Sequence, residues 1–348
     1  MAESTDLVEI RGLKSSLGYF KANELLSINQ IYPRSENRRL NYAGQKMKFS
    51  IEGVRSDLFL RLPVEFPVTR LRHTTTWTAT EDILASQSFI GRQHDREEFM
   101  DLSFWGADIP SSDIEKARED VYTYVHGNVP PEEAEEYRGE ITRQFANSPA
   151  FDKEASRYGN FTFSLPFSDL LSLYKSQFCN KEEPQLSILG TDLYKQEIVH
   201  YVVVHCPDEA RFMDLPRVRI LQTREEEEPL PCVYWMGETL YWRPESTSAD
   251  LKVLCKEGHI IAGHCEPHCG WFTDRGHCCH GVACVWNHLV FAFHIPDGRE
   301  LEIPGQKLID NLSACNALKP FMKDEKLEKP EAENIIRDMK KRYGGADD

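Results

Sequence analysis

The sequence has no run approaching the ~20 consecutive apolar residues that a membrane-spanning helix needs. Its opening residues, Met1-Ala2-Glu3-Ser4-Thr5-Asp6, lack the apolar core of a secretory leader. Both absences lead to the expectation of a soluble protein of the cytoplasm or nucleus, in a reducing compartment where free thiols and metal thiolates are expected rather than disulfides. Asn160-Phe161-Thr162 matches a glycosylation sequon, which has no role without secretion. Positive charge is also scarce. Lys and Arg number 41 against 56 Asp and Glu, a net charge of −15. An acidic surface repels phosphates at long range, which excludes broad nucleic-acid binding but leaves room for a local basic pocket. The excess acid gathers in Glu132–Glu136, Glu225–Glu228 and the final stretch, which read as solvated faces and loops. No internal repeat is present.

What is there is ordinary globular material. The 348 residues are 41% hydrophobic and 11% aromatic, enough for packed cores and for two domains. Met47–Ile51 alternates apolar and polar residues, as a half-buried strand does, and Leu58–Leu62 is a second candidate. Val68–His73 reads as a short strand, followed by a helix capped by Thr80 and stopped near Gly91. A helix is expected over residues 111–125 and another from Pro131. Phe161–Leu165 alternates strictly, and Ile198–Cys206, with three valines in a row, reads as a buried strand.

The charged run Arg224–Pro231 is the expected boundary. It divides the chain into an α+β domain over 1–223, a second module over 232–321 and a charged C-terminal helix or tail over 322–348. Pro296-Asp297-Gly298 between two apolar runs predicts a hairpin. Leu308, Ile309, Leu312 and Cys315 have helical spacing. A last helix starts near Pro330 with Ile335, Ile336, Met339 and Tyr343 as its packing stripe. The fold class is α+β, with antiparallel strands and short helices in both parts.

Ten cysteines and twelve histidines occur, and six of the former and seven of the latter fall between 255 and 294. Zinc takes four thiolate or imidazole ligands in a tetrahedron, usually as two close pairs. Cys255 with His259 makes one such pair and Cys265 with Cys269 another, with His264 and His268 competing at the same spacing. Cys278, Cys279, His280 and Cys284 supply further ligands. The spacings are not those of the common Cys-x2-Cys knuckle, and the candidates exceed what one ion can use, so one or two zinc ions are expected. His264-Cys265-Glu266 matches the start of a zinc-deaminase motif. The Pro-Cys-x-x-Cys that such enzymes need does not follow, which excludes that chemistry.

Three segments stand in a notable order. Leu71-Arg72-His73-Thr74-Thr75 precedes a helix. Leu102-Ser103-Phe104-Trp105-Gly106-Ala107-Asp108-Ile109 precedes another. Leu193-Tyr194-Lys195-Gln196-Glu197-Ile198-Val199 sits at the edge of a β run. Over roughly residues 66–215 this resembles the ADP-ribosyltransferase superfamily, most nearly its poly-ADP-ribose-polymerase-like branch. The resemblance implies an ADP-ribosyltransferase-like fold and NAD as cofactor, in an active or inactive form. It implies that His73, with Thr74 beside it, holds the nicotinamide-side ribose, and that Tyr158, or the aromatics Phe104 and Trp105, stacks on nicotinamide. It gives Glu197 the catalytic role, because nicotinamide loss passes through an oxocarbenium-like state that a fixed carboxylate favours. Thr74 stands where the family has Gly, and Trp105 where it often has Gly.

Three functional readings follow. The first is an NAD-dependent ADP-ribosyltransferase-like protein, with a protein partner or substrate and a structural zinc module. The second is a non-enzymatic zinc-binding interaction protein. The third is a hydrolase with a Cys–His pair.

Overall fold

A computed structural model describes residues 20–22, 38–42, 45–51, 65–94, 97–128, 155–156, 158–194, 197–223, 231–243, 251–254, 260–261, 286–317 and 327–344. Its centre is an eight-stranded sheet. In chain order the strands are β1 (Phe20–Ala22), β2 (Arg70–Thr75), β3 (Leu102–Ala107), β4 (Phe161–Pro166), β5 (Gln185–Tyr194), β6 (Glu197–His205), β7 (Trp286–His294) and β8 (Leu312–Ala314). Across the sheet their order is β1-β5-β6-β7-β3-β2-β4-β8.

Neighbours are antiparallel except β6 and β7, which run parallel. A parallel pair needs a long crossover. Here the chain between β6 and β7 contributes Arg219–Leu221, Val233–Met236 and Thr239–Trp242 to a separate four-stranded sheet, which Phe66–Pro67 completes. The strand expected at Met47–Ile51 is Gln45–Ile51, paired with Arg38–Tyr42 and Leu251–Leu254. These elements are α+β, as the patterning predicts, and among the described residues no helix is long and apolar enough to cross a membrane.

The expected division at 224–231 does not separate two cores. β7, from beyond it, lies between β6 and β3 in the middle of the main sheet. Its Leu289, Phe291 and Phe293 are buried in the same cluster as Leu71, Trp105 and Val202. A charged run is a feature of composition, and a strand that returns from beyond it to pair inside the first sheet leaves no mark of that kind.

Among the described residues five helices accompany the sheet: α1 (Trp77–Ser86), α2 (Ser111–Asn128), α3 (Phe167–Phe178), α4 (Gly305–Asp310) and α5 (Lys329–Tyr343). The main core lies where α1, α3, α4 and α5 bring Leu84, Leu170, Leu308 and Ile336 against Leu71, Trp105, Phe163 and Phe291 of the strands. α5 starts where Pro330 predicts. Glu328 and Glu331 form a reciprocal capping box, and Ala332, Ile336 and Met339 make the buried stripe.

Three local expectations are corrected. The cap of α1 is Thr76, whose Oγ1 accepts from the Ala79 amide at 3.4 Å, while Thr80 is buried inside the helix. That helix stops at Gln87, in the left-handed region at φ 55°, before Gly91. The turn at Pro296–Gly298 is present, with Gly298 at φ 73°, but it joins no hairpin. β7 pairs with β6 and β3, whereas Glu300–Glu302 pairs with Ser88–Ile90. The spacing of Leu308, Ile309, Leu312 and Cys315 is split: the first two lie in α4, Leu312 opens β8 and Cys315 directly follows it. The helix expected from Pro131 and the strand expected at Leu58–Leu62 lie outside the described residues.

Candidate functional site

Strand alternation sends residues two apart to the same face. In the main sheet this makes one straight row, because Arg72 pairs with Gly106, Gly106 with Val290, and Val290 with Tyr201. The next row of the parallel pair joins Val199 to His288. These residues floor a cavity of about 610 Å³ on the face opposite the main core. A small buried cluster of Phe99, Leu102, Leu189, Val203, Phe212 and Ala292 supports the same face.

The cavity is basic in an acidic protein. Two guanidinium groups, Arg72 and Arg92, and three imidazoles, His73, His94 and His288, line it. Its rings come from Phe99, Phe104, Tyr158 and Tyr201, and no Asp or Glu is among the described lining residues. At the mouth, Ile90 is 65% and Tyr158 47% exposed, so apolar surface is offered where a ligand would enter.

His73 sits near the end of β2, half-buried, its ring 5.1 Å edge-on to Phe89 and 5.3 Å from Trp105. Its Nδ1 lies 2.9 Å from the Phe104 carbonyl. A carbonyl only accepts, so Nδ1 carries the proton and Nε2 is left as an acceptor. Burial lowers the imidazole pKa, and the Phe104 carbonyl opposes this more weakly. The ring is therefore neutral at pH 7, suited to receiving a hydroxyl hydrogen bond. Thr74 is fixed by a 2.9 Å hydroxyl contact to Thr162 on β4.

Two glycines shape the walls. A Cβ on Gly106 would stand 2.6 Å from His288 Nε2, so the absence of a side chain there makes room for the imidazole. Gly159, at φ 146°, lies so close to the Thr75 carbonyl that any Cβ would collide with it. That close approach brings neighbouring Tyr158 beside the end of β2.

Of the residues chosen from sequence, His73, Thr74 and Tyr158 come together in this cavity. Trp105 does not stack on a ligand. It is fully buried in the main core, its Nε1 donating to Ser103 Oγ at 3.2 Å, while its neighbour Phe104 lines the cavity. Two adjacent strand residues face opposite ways, so only one of these two aromatics can enter the core.

Glu197 opens β6, paired with Tyr194 and Trp286, two and four residues before the lining residues Val199 and Tyr201. The register sets β2 and β6 running in the same direction, so His73 and Glu197 lie toward opposite ends of the sheet. Five residues of rise and three strand spacings place their backbones roughly 20 Å apart, far more than one ribose spans. The structure therefore does not bring the two together on one sugar. Arg72, Arg92, His94, Tyr201 and His288 were not picked out as site residues. Their signal is cross-strand register, which a single sequence does not carry.

The metal candidates Cys255, His259, His264, Cys265, His268, Cys269, Cys278, Cys279, His280 and Cys284 all lie outside the described residues. Among the described residues no group of three or more His, Cys, Asp or Glu could hold a metal. Comparison with protein-family models, with curated proteins and with solved structures gives no match.

Proposed function

We propose that the cavity binds an anionic, ring-bearing ligand of the dinucleotide class, with NAD as the member implied by the resemblance. In this reading the chain is an ADP-ribosyltransferase-like protein of the inactive kind. One observation carries it: two guanidiniums, three imidazoles and four aromatic rings converge on a cavity whose described lining residues include no carboxylate, in a chain of net charge −15. Arginines suit phosphate oxygens, because their forked donors match them. Aromatic faces suit a planar base. His73 Nε2 accepts a ribose hydroxyl. Transfer additionally requires a carboxylate at the breaking glycosidic bond, and the distance of Glu197 from His73 argues against it.

The test is calorimetry of the full-length protein with NAD, beside transfer of labelled ADP-ribose. Wild type binds, and Arg72→Ala weakens binding by roughly 10-fold or more, the scale of one lost charged hydrogen bond, while His73→Ala, which removes a neutral hydrogen bond, weakens it about 3- to 10-fold. No transfer is expected from wild type or Glu197→Gln. Transfer by wild type that Glu197→Gln abolishes would overturn the inactive assignment. Absence of NAD binding would overturn the whole reading.

We also propose that the Cys/His segment holds one or two structural zinc ions. This rests on ligand density and spacing. The segment runs between the strand Leu251–Leu254 and central strand β7. Ordering it therefore bears on the main sheet as well, since metal-binding energy is folding energy in such modules. Elemental analysis should find zinc in the purified protein, and a strong chelator should lower its melting temperature. Zinc-free protein with unchanged melting would remove the proposal.

A further inference from the structure

We propose that Cys179 and Cys206 form an oxidisable pair that closes to a disulfide in the presence of a peroxide. The observation is geometric. The two sulfurs are in contact at 2.6 Å, although the residues are 27 apart in sequence and belong to different elements. Cys179 is the C-terminal cap of α3, and Cys206 directly follows β6. Both thiols are free.

The backbone holds each in place. The Cys179 amide donates to Lys175 at 3.3 Å, and its carbonyl accepts from Glu182 at 2.7 Å. The Cys206 carbonyl accepts from His205 Nδ1 at 2.8 Å and from the Glu209 amide at 3.1 Å. Sulfur proximity is therefore built by two anchored segments, which is the condition for bridging without backbone movement.

The two cysteines take different parts. Cys179 is buried, and burial, with the Cys206 sulfur beside it, holds its thiol well above the ordinary range. Cys206 is partly exposed and meets the oxidant first. Its thiolate attacks one peroxide oxygen, the O–O bond breaks, and hydroxide leaves, giving a sulfenic acid. The Cys179 sulfur then attacks that sulfenic sulfur, losing its proton as water departs. Two thiols and one hydrogen peroxide become one disulfide and two waters, with two electrons passed to the peroxide. The bond would tie the end of α3 to the end of β6. In a reducing compartment such a bond is transient, which is how redox-responsive pairs behave there.

The test uses full-length, metal-loaded protein, reduced and then treated with hydrogen peroxide. Free thiols are alkylated afterwards, and peptides are mapped by mass spectrometry so that the other eight cysteines are scored separately. The expected product is a Cys179–Cys206 linked peptide, reversed by dithiothreitol, with the melting temperature raised by about 5 °C through loop closure. Cys179→Ser should stop at a Cys206 sulfenic acid that dimedone captures, and Cys206→Ser should leave Cys179 alkylatable. The proposal is overturned if peroxide leaves both residues alkylatable in folded wild type. Direct passage of Cys206 to the sulfinic or sulfonic acid without a cross-link would overturn it equally.

Discussion

The two faces of the main sheet are built from neighbouring residues and are put to opposite uses. On one face, Leu71, Trp105, Ala107, Leu289, Phe291 and Phe293 are almost or wholly inaccessible and sit in the main core. On the other, the interleaved Arg72, Phe104, Gly106, His288 and Val290 line a cavity. The period-2 alternation of a strand makes this division possible within six residues of β3. Stability is concentrated on the first face. The second supplies a cavity with basic and aromatic walls.

The sharpest way to break this comparison is to delete a ring on each side. Trp105→Ala removes the largest fully buried side chain of the sheet and should cost about 3–5 kcal/mol. A thermal melt reads this as a loss of many degrees, or as failure to fold. Tyr158→Ala removes a ring that is 47% exposed. Its stability change should stay within about 0.5 kcal/mol, while NAD binding by calorimetry weakens several-fold. Equal destabilisation by the two would mean that the cavity wall is part of the core. Next in size is Gly106→Val, which pushes a branched side chain against His288. Overpacking of this kind costs about 1–3 kcal/mol, and the cavity floor should close to ligand. A Gly106→Val protein that binds NAD as wild type does would show that the ligand does not reach the row Arg72–Gly106–Val290–Tyr201.

Much of the first face was legible in the sequence. Strict alternation in Phe161–Leu165 and the valines of 202–204 gave β4 and β6, and the stripe after Pro330 gave α5. The cavity was legible only in part. His73, Thr74 and Tyr158 stood out through short motifs, whereas His288 was counted with the Cys/His segment that precedes it. What joins His288 to Gly106 is the insertion of β7 between β6 and β3. A pairing over so long a separation leaves no periodic trace in the chain. Trp105 enters the core rather than the cavity, against expectation, for a related reason. Motif position says which strand a residue is on, and only the core decides which of two adjacent aromatics turns inward. α3 is not among the expected helices, although Leu170, Tyr174 and Phe178 have the spacing of a buried helical stripe.

The smallest effect separates the faces by pH. Three histidines with lowered pKa lie on or beside the cavity face. His73 is lowered chiefly by burial. His205 is lowered by burial too, with its Nε2 2.9 Å from Ser187 Oγ. His294 is lowered by burial against the partial counter-effect of Glu209, 3.4 Å from its Nδ1. Phe212 packs against the last two rings at 5.2 and 5.1 Å. For a histidine whose folded pKa lies below its unfolded value, the unfolded chain takes the proton first as pH falls. Stability is therefore fully present above about pH 6.5, the unfolded value, and declines as pH drops through the window down to the folded values. Melting temperature should therefore fall between pH 7.5 and 5.5. His205→Gln, which preserves a hydrogen-bonding side chain without a titrating ring, should flatten part of it. A melting temperature constant over that range would mean that these imidazoles are solvated enough to protonate in place, and the cavity face would then be as open to water at its edges as at its mouth.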